Sequence, residues 1–301
     1  MKNVNILVPI DFSELSLKAL EPASMFAEMF DGAVTPFHSY ISLDEMGDMV
    51  NTTSSSTKSD ANKTIEEKLV QQLNEVVSRQ VNHQYLNSGI IYMGNPSEAI
   101  VDVAHDFDMI VMTTHGRTGF SRLLLGSVTE KVIRFAPVPV LVIEEHSRLK
   151  PLKKILFTTD FSDHSLKAVP FVRTISEAAG ADLDIVHIVS FEQFGSIPQI
   201  QSSIDTKKKL MRKLVENRFD DLHNKVTSEI LTTKKSIHEK ITRLAQKQDY
   251  NLIVMATIGR TGLEYLRLGS TASNVVRHVE NAVLTINPHC FKKTGEWGET
   301  T

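Results

Sequence analysis

Short apolar runs alternate with amphipathic stretches along this chain. Ile6-Leu7-Val8-Pro9-Ile10 is an apolar run closed by Asp11, the pattern of a short strand buried on both faces. Ser13 follows as a helix N-cap. Leu17, Leu20, Phe26 and Met29 then mark a helix to about Asp31-Gly32, which Pro22 should kink or delay. Val34 to Ser39 predicts a second strand, weakened by Pro36. Asp44 to Asp60, with a polar tract from Asn51 to Thr57, predicts a mobile loop. Thr64 to Ser78 predicts a helix with Ile65, Leu69, Leu73, Val76 and Val77 on one side. Gln84 to Tyr92 predicts a third strand and Pro96 to Ala104 a helix. Met109 to Met112 predicts a fourth strand, Ser127 to Phe135 a helix and Pro139 to Ile143 a fifth strand. Strands and helices in strict alternation imply a parallel sheet covered on both faces.

The pattern then repeats. After a polar linker from His146 to Pro151, Asp160-Phe161-Ser162 stands where Asp11-Phe12-Ser13 did, 149 residues later. Ser165 to Ala168 matches Ser16 to Ala19, and His187 matches His38, at the same spacing. Gly259, Gly269 and Ser270 match Gly116, Gly126 and Ser127 at a spacing of 143, so the length change falls between His38 and Gly116. Two constant spacings with many coincidences establish an internal duplication. The domain assignment is 1–146, then 151–289, with residues 290–301 as a frayed polar tail.

Length and composition fit two globular halves. The chain has 301 residues, 41% apolar and 23% charged, enough for two cores. A net charge of −3 argues against a nucleic-acid footprint and gives no reason to invoke a membrane surface. The start is too short for a signal peptide, and no apolar run reaches the roughly 20 residues of a membrane span. Cys290 is the single cysteine, which forbids an intrachain disulfide and suits a reducing compartment. The expectation is a soluble, cytoplasmic protein. Lys207 to Lys209 and Lys234-Lys235 read as solvated faces.

Candidate chemistry gathers at the carboxyl ends of strands, where open parallel sheets bind ligands. Asp11 closes the first strand. Met109 to Met112 leads into a loop with Gly116, and Gly126-Ser127 opens a helix. Gly116 allows close backbone approach, and the helix start offers free N–H groups and a favourable dipole to an anion. A carboxylate beside a glycine-lined anion site suits a nucleotide: ribose or adenine on Asp11, phosphates on the glycine loop and Ser127. Each feature also has a plain structural reading, since Gly-x-x-Gly turns a strand into a helix and an Asp after a strand caps one. Duplication copies a turn as faithfully as a site. Arg117 and Arg260 follow the loop glycines, placed either to clamp phosphate or simply to solvate the loop. A P-loop and a Gly-x-Gly-x-x-Gly fingerprint are both missing. The histidines lack metal-ligand spacing, so no metal site is expected, and no catalytic triad or carboxylate pair stands out.

With these motifs the chain resembles the universal stress protein family in its tandem two-domain form, over residues 3 to 144 and 152 to 287. The family's mark is Gly-x2-Gly-x9-Gly-Ser/Thr with a first strand ending in Pro-x-Asp. Here the first half has Pro9-Ile10-Asp11, then Thr113-x2-Gly116-x9-Gly126-Ser127. The second has Thr158-Thr159-Asp160, then Ala256-x2-Gly259-x9-Gly269-Ser270. The resemblance implies two Rossmann-like α/β domains, each a five-stranded parallel sheet of order 3-2-1-4-5. It implies that Val140 to Ile143 and Val283 to Ile286 meet, making an intrachain pseudo-dimer, and it leaves a homodimer of chains open. It also implies ATP, with or without Mg2+, as cofactor. Carried over, the nucleotide-binding positions are Pro9, Asp11, Ser39, Thr113, His115, Gly116, Arg117, Gly126, Ser127, Val128 and Thr129. In the second half they are Asp160, Ile188, Gly259, Arg260, Gly269, Ser270 and Thr271.

The departures from the family pattern are Thr113 and Ala256 at the first motif glycine, where a Cβ would crowd the nucleotide. Ser39 stands where an apolar residue would lie under the base, Thr158 replaces the proline, and Ala272 stands where the first half has Thr129. The first half, with Pro9 and Thr129, keeps the fuller set. The function expected is a cytoplasmic stress-response module that binds ATP and signals its state, with at most slow hydrolysis. The competing reading is an interaction and dimerisation module that binds no nucleotide.

Overall fold

A computed structural model of the chain describes residues 3–41, 55–114, 125–147, 149–258, 268–287 and 290, with backbone alone for 55–62. The first half runs β1 (Asn5–Pro9), α1 (Glu14–Leu17), α2 (Leu20–Phe30), β2 (Ala33–Tyr40), α3 (Ser55–Ser78) and β3 (Ile90–Met93). It continues with α4 (Pro96–Val103), β4 (Met109–Thr113), α5 (Ser127–Phe135) and β5 (Val140–Ile143). The second half repeats it: β6 (Lys154–Thr158), α6 (Asp163–Leu166), α7 (Val169–Ala179), β7 (Asp182–Ser190), α8 (Ile197–Arg218) and β8 (Val226–Thr233). Then come α9 (Ile237–Lys247), β9 (Leu252–Ala256), α10 (Ser270–His278) and β10 (Ala282–Ile286).

All ten strands join one sheet in the order β3-β2-β1-β4-β5-β10-β9-β6-β7-β8. Each half is parallel with the order third, second, first, fourth, fifth. The halves meet at the centre, where β5 and β10 pair antiparallel with Leu141 opposite Leu284 and Val142 opposite Val283. Side chains alternate across a strand, so Val140, Val142 and Val283 enter one core while Leu141, Ile143 and Leu284 enter the other. Both cores hold residues of both halves. Strand order reverses between β1 and β4, and again between β6 and β9, which opens a crevice at the carboxyl end of each pair.

Several expectations change on folding. Pro22 does delay a helix: α1 stops at Leu17, and α2 starts at Leu20 with Pro22 in its first turn, where a missing N–H costs nothing. Pro36 does not weaken β2, which runs eight residues. The carbonyls of Val34 and Tyr40 face the β3 side, accepting from Asn87 and Gly94. Pro36 has the same parity, so its missing donor faces chain that precedes β3. The third strand is only Ile90–Met93, with a 3-10 turn at His83–Tyr85. The expected loop to Asp60 is helix from Ser55 onward, while residues 42–54 lie outside the described set. Cys290 is not in a frayed tail but buried in the core, and burial pushes its thiol up to about 12. Lys207 is not solvated: it is 7% exposed, its ammonium 5.3 Å from the centroid of the Phe161 ring.

At the opposite end of the second sheet half, Asp184 anchors a polar cluster. Tyr250 Oη donates to its Oδ2 at 2.6 Å, Lys154 Nζ lies 3.1 Å from the same oxygen, and Thr227 donates to Oδ1. Burial pushes the Asp184 carboxyl up, but these hydrogen bonds outweigh it and hold the group below its ordinary 3.8. Its folded value lies below its unfolded one, so it stabilises above pH 3.8 and that contribution fades as pH falls through the folded value. In acid titrations of stability, Asp184→Asn should flatten the loss below pH 3.8; an unchanged acid limb would contradict this. Leu284→Ala should cost about 2–5 kcal/mol and lower a single urea transition shared by both halves. Two transitions, one unmoved, would show that the sheet is not shared energetically.

Candidate functional site

The chain after β1 forms a tight acidic turn, repeated after β6. Ile10 N–H donates to Phe37 O at 2.7 Å, tying the strand end to β2. His38 Nδ1 lies 2.6 Å from Ile10 O, and His187 Nδ1 lies 2.7 Å from Thr159 O. A carbonyl only accepts, so the proton sits on Nδ1 in both rings. Each histidine thus fixes the residue just before the aspartate. The N–H and Oγ of Ser13 both donate to Asp11 Oδ1, at 3.0 and 2.5 Å. Ser162 does the same to Asp160 Oδ1, at 2.9 and 2.5 Å. The two serines then cap α1 and α6 by accepting from Ser16 and Ser165 N–H.

Between acid and serine, Phe12 and Phe161 adopt φ of 64° and 60°. A bulky residue in that left-handed region costs on the order of 1–2 kcal/mol. Their rings pack on the clamping histidines at centroid distances of 4.5 and 4.9 Å, which offsets part of that cost. Histidine, aspartate, phenylalanine and serine therefore act as one unit that holds the carboxylate at the crevice. Both the capping reading and the ligand reading of Asp11 place its carboxylate at this turn.

The other wall is the start of α5 or α10. Thr114 N–H donates to Ile143 O at 3.1 Å, Gly126 N–H to Thr114 O at 2.9 Å, and Thr129 Oγ1 to Thr113 O at 2.9 Å. The second half keeps the first two bonds: Thr257 N–H to Ile286 O at 2.9 Å and Gly269 N–H to Thr257 O at 2.8 Å. It lacks the third, because Ala272 has no hydroxyl. The hydroxyl of Thr257 is buried without a hydrogen-bond partner. Gly126 and Gly269 are the N-caps, and among the described residues no side chain caps either helix. First-turn N–H groups such as those beside exposed Ser127 and Ser270 favour an anion. Gly269 also has a packing reason to be glycine: a Cβ there would lie 2.6 Å from Thr257 O.

The structure brings together Pro9, Asp11, Thr113, Gly126, Ser127, Val128 and Thr129 at the ends of adjacent β1 and β4. Asp160, Gly269, Ser270 and Thr271 occupy the same places in the second half. Ser39 is half-buried in β2 beside His38, whereas Ile188 is buried in β7. His115, Gly116, Arg117, Gly259 and Arg260 lie outside the described residues. Sequence reasoning missed the clamping role of His38 and His187, although each follows its aspartate by the same interval. A cavity of about 620 Å3 lies elsewhere, between α1, α2 and the linker, with Leu17, Lys18, Met25, Glu144 and Leu149 in its wall. Gly269→Ala should cost about 1–3 kcal/mol in urea unfolding, because the new methyl overpacks against backbone. An unchanged midpoint would mean that this close approach is not a constraint.

Comparison with known proteins agrees with this architecture. The universal stress protein family model matches residues 3–144 and 151–287. A universal stress protein of Synechocystis is 28% identical over 189 residues, covering 62% of this chain and 61% of that relative. The alignment thus spans about three fifths of that relative's length. Universal stress protein E of Photorhabdus laumondii is 22% identical over 321 residues, covering 96% of each. The crystal structure of a universal stress protein from Archaeoglobus fulgidus superposes with a TM-score of 0.66. It covers 94% of this chain and 98% of that one, at 19% identity, a likeness of fold alone. With both halves matched in tandem and the same sheet built twice, the chain belongs to the universal stress protein family.

Proposed function

We propose that the protein binds an adenine nucleotide, ATP, in the crevice between β1 and β4 of its first half. On this reading it acts as a signalling or regulatory module in the cytoplasm. The observation that carries the reading is the pairing of a fixed carboxylate, Asp11, with the helix start at Ser127, which no described side chain caps, across one switch-point crevice. Asp11 would take ribose hydroxyls or the adenine amino group. The first-turn N–H groups of α5 and the Ser127 hydroxyl would take phosphate oxygens. Thr129 holds the Thr113 carbonyl and so fixes the strand end against the helix start. Gly116 and Arg117 would complete the phosphate side, and Mg2+ would be shared with the phosphates rather than held by a protein cage. Hydrolysis, if any, is slow on this reading, since positioning without an activating base does little for phosphoryl transfer. Among the described residues no helix is long and apolar enough to cross a membrane.

The competing reading, a pairing module without nucleotide, fits the second half better. Ala272 removes the hydroxyl tie, and Thr257 is left with a buried unpartnered hydroxyl. The proposal therefore assigns nucleotide to the first half and the paired scaffold to the second.

Millimolar Mg-ATP should raise the melting temperature by several degrees, as about 2.7 kcal/mol is gained at a hundredfold excess over Kd. Gly116→Val should abolish that shift and leave the far-UV circular dichroism intact, while Gly259→Val should leave the shift in place. A melting temperature indifferent to Mg-ATP would contradict nucleotide binding, and the reverse pattern of the two variants would move it to the second half.

A further inference from the structure

The second half grips α5 at both ends. In its first turn, Glu130 Oε2 accepts from Arg277 Nη2 of α10 at 3.2 Å. At its far end, the Ile133 and Ala136 carbonyls accept from Asn287 Nδ2 at 3.2 and 2.6 Å. Asn287 is 2% exposed and follows Ile286, whose carbonyl holds Thr257 of the second crevice. The pseudo-symmetric contacts on α10 are not repeated. Ser273, which has no charge, stands where Glu130 does, and the guanidinium of its would-be partner Arg134 lies 4.6 Å from the Phe135 ring centroid. Glu144 stands where Asn287 does, and its Oε2 accepts from His146 N–H at 2.7 Å. The grip runs one way, from the second half onto the helix that keeps Thr129.

Glu130 is one residue beyond Thr129, within the helix turn that would face phosphate. A carboxylate there repels the same anion that the helix start attracts. Arg277 offsets it, and the two side chains are only 31% and 42% exposed, so solvent screens the pair incompletely. We propose that Arg277, supplied by the second half, is a specificity-determining residue for the nucleotide site of the first half. By neutralising Glu130 it keeps the start of α5 attractive to a polyphosphate. This rests on the nucleotide reading above and adds to it a trans-acting charge that distinguishes ATP from adenosine. The second half is then a working part of the site rather than a spare copy.

The test titrates the full-length chain with ATP and with adenosine at low ionic strength, where screening is weakest. Arg277→Gln should weaken ATP about three- to tenfold, the scale of one uncompensated charge near a polyphosphate. Adenosine binding should stay unchanged. Glu130→Gln alone should bind ATP at least as tightly as the natural chain, and the double variant should regain the natural affinity. Equal losses for ATP and adenosine, or a Glu130→Gln variant as weak as Arg277→Gln, would reduce Arg277 to a structural tie and overturn the proposal. Unchanged ATP affinity in Arg277→Gln would overturn it while sparing the nucleotide reading. A natural chain that binds no ATP would overturn both.

Discussion

The antiparallel pairing of β5 with β10 is the constraint on which the rest depends. Three residue pairs, centred on Leu141 and Leu284, turn two parallel half-sheets into one sheet of ten strands. Strands buried on both faces need helices on both faces, and here each covering layer shares its core between the halves. Thr285 Oγ1 donates to Val140 O across the seam at 3.0 Å, which satisfies a hydroxyl that would otherwise be buried alone. The central pairing also sets α5 beside α10, so a residue of one half can reach the crevice wall of the other.

Duplication makes two crevices, and small differences make them unequal. Both retain the histidine-clamped acidic turn with a phenylalanine at positive φ. A strained residue kept in both copies indicates that the turn geometry is over-determined by its surroundings. The halves part at the second wall. Thr129 ties helix to strand in one, and Ala272 leaves that tie unmade in the other. Among the described residues the second half alone reaches across to grip its neighbour's α5, with Arg277 and Asn287 as the donors. A pseudo-dimer with two unequal halves follows from a handful of side chains.

Much of this was legible in the sequence, for physical reasons that are themselves local. Buried parallel strands must be continuous apolar runs, so Met109 to Met112 and Leu252 to Met255 stand out. Ser13 was legible as a cap because it stands just ahead of the helical pattern. The edge strand was misplaced because Ile90 to Met93 is only half-covered and lacks the buried-strand signature. The start of α3 was missed because Ser55 to Thr57 favours caps and turns over helix interiors. Lys207 was misread since only the fold shows Phe161 beneath it. The Arg277–Glu130 pair joins residues 147 apart and exists only once the central strands have paired.

The central claim is that the duplicated fold carries one working nucleotide site, in its first half. Titration calorimetry of the full-length chain with ATP tests it most directly, by counting sites. The account predicts saturation at one nucleotide per chain. Two nucleotides per chain, or no heat of binding at all, would contradict it.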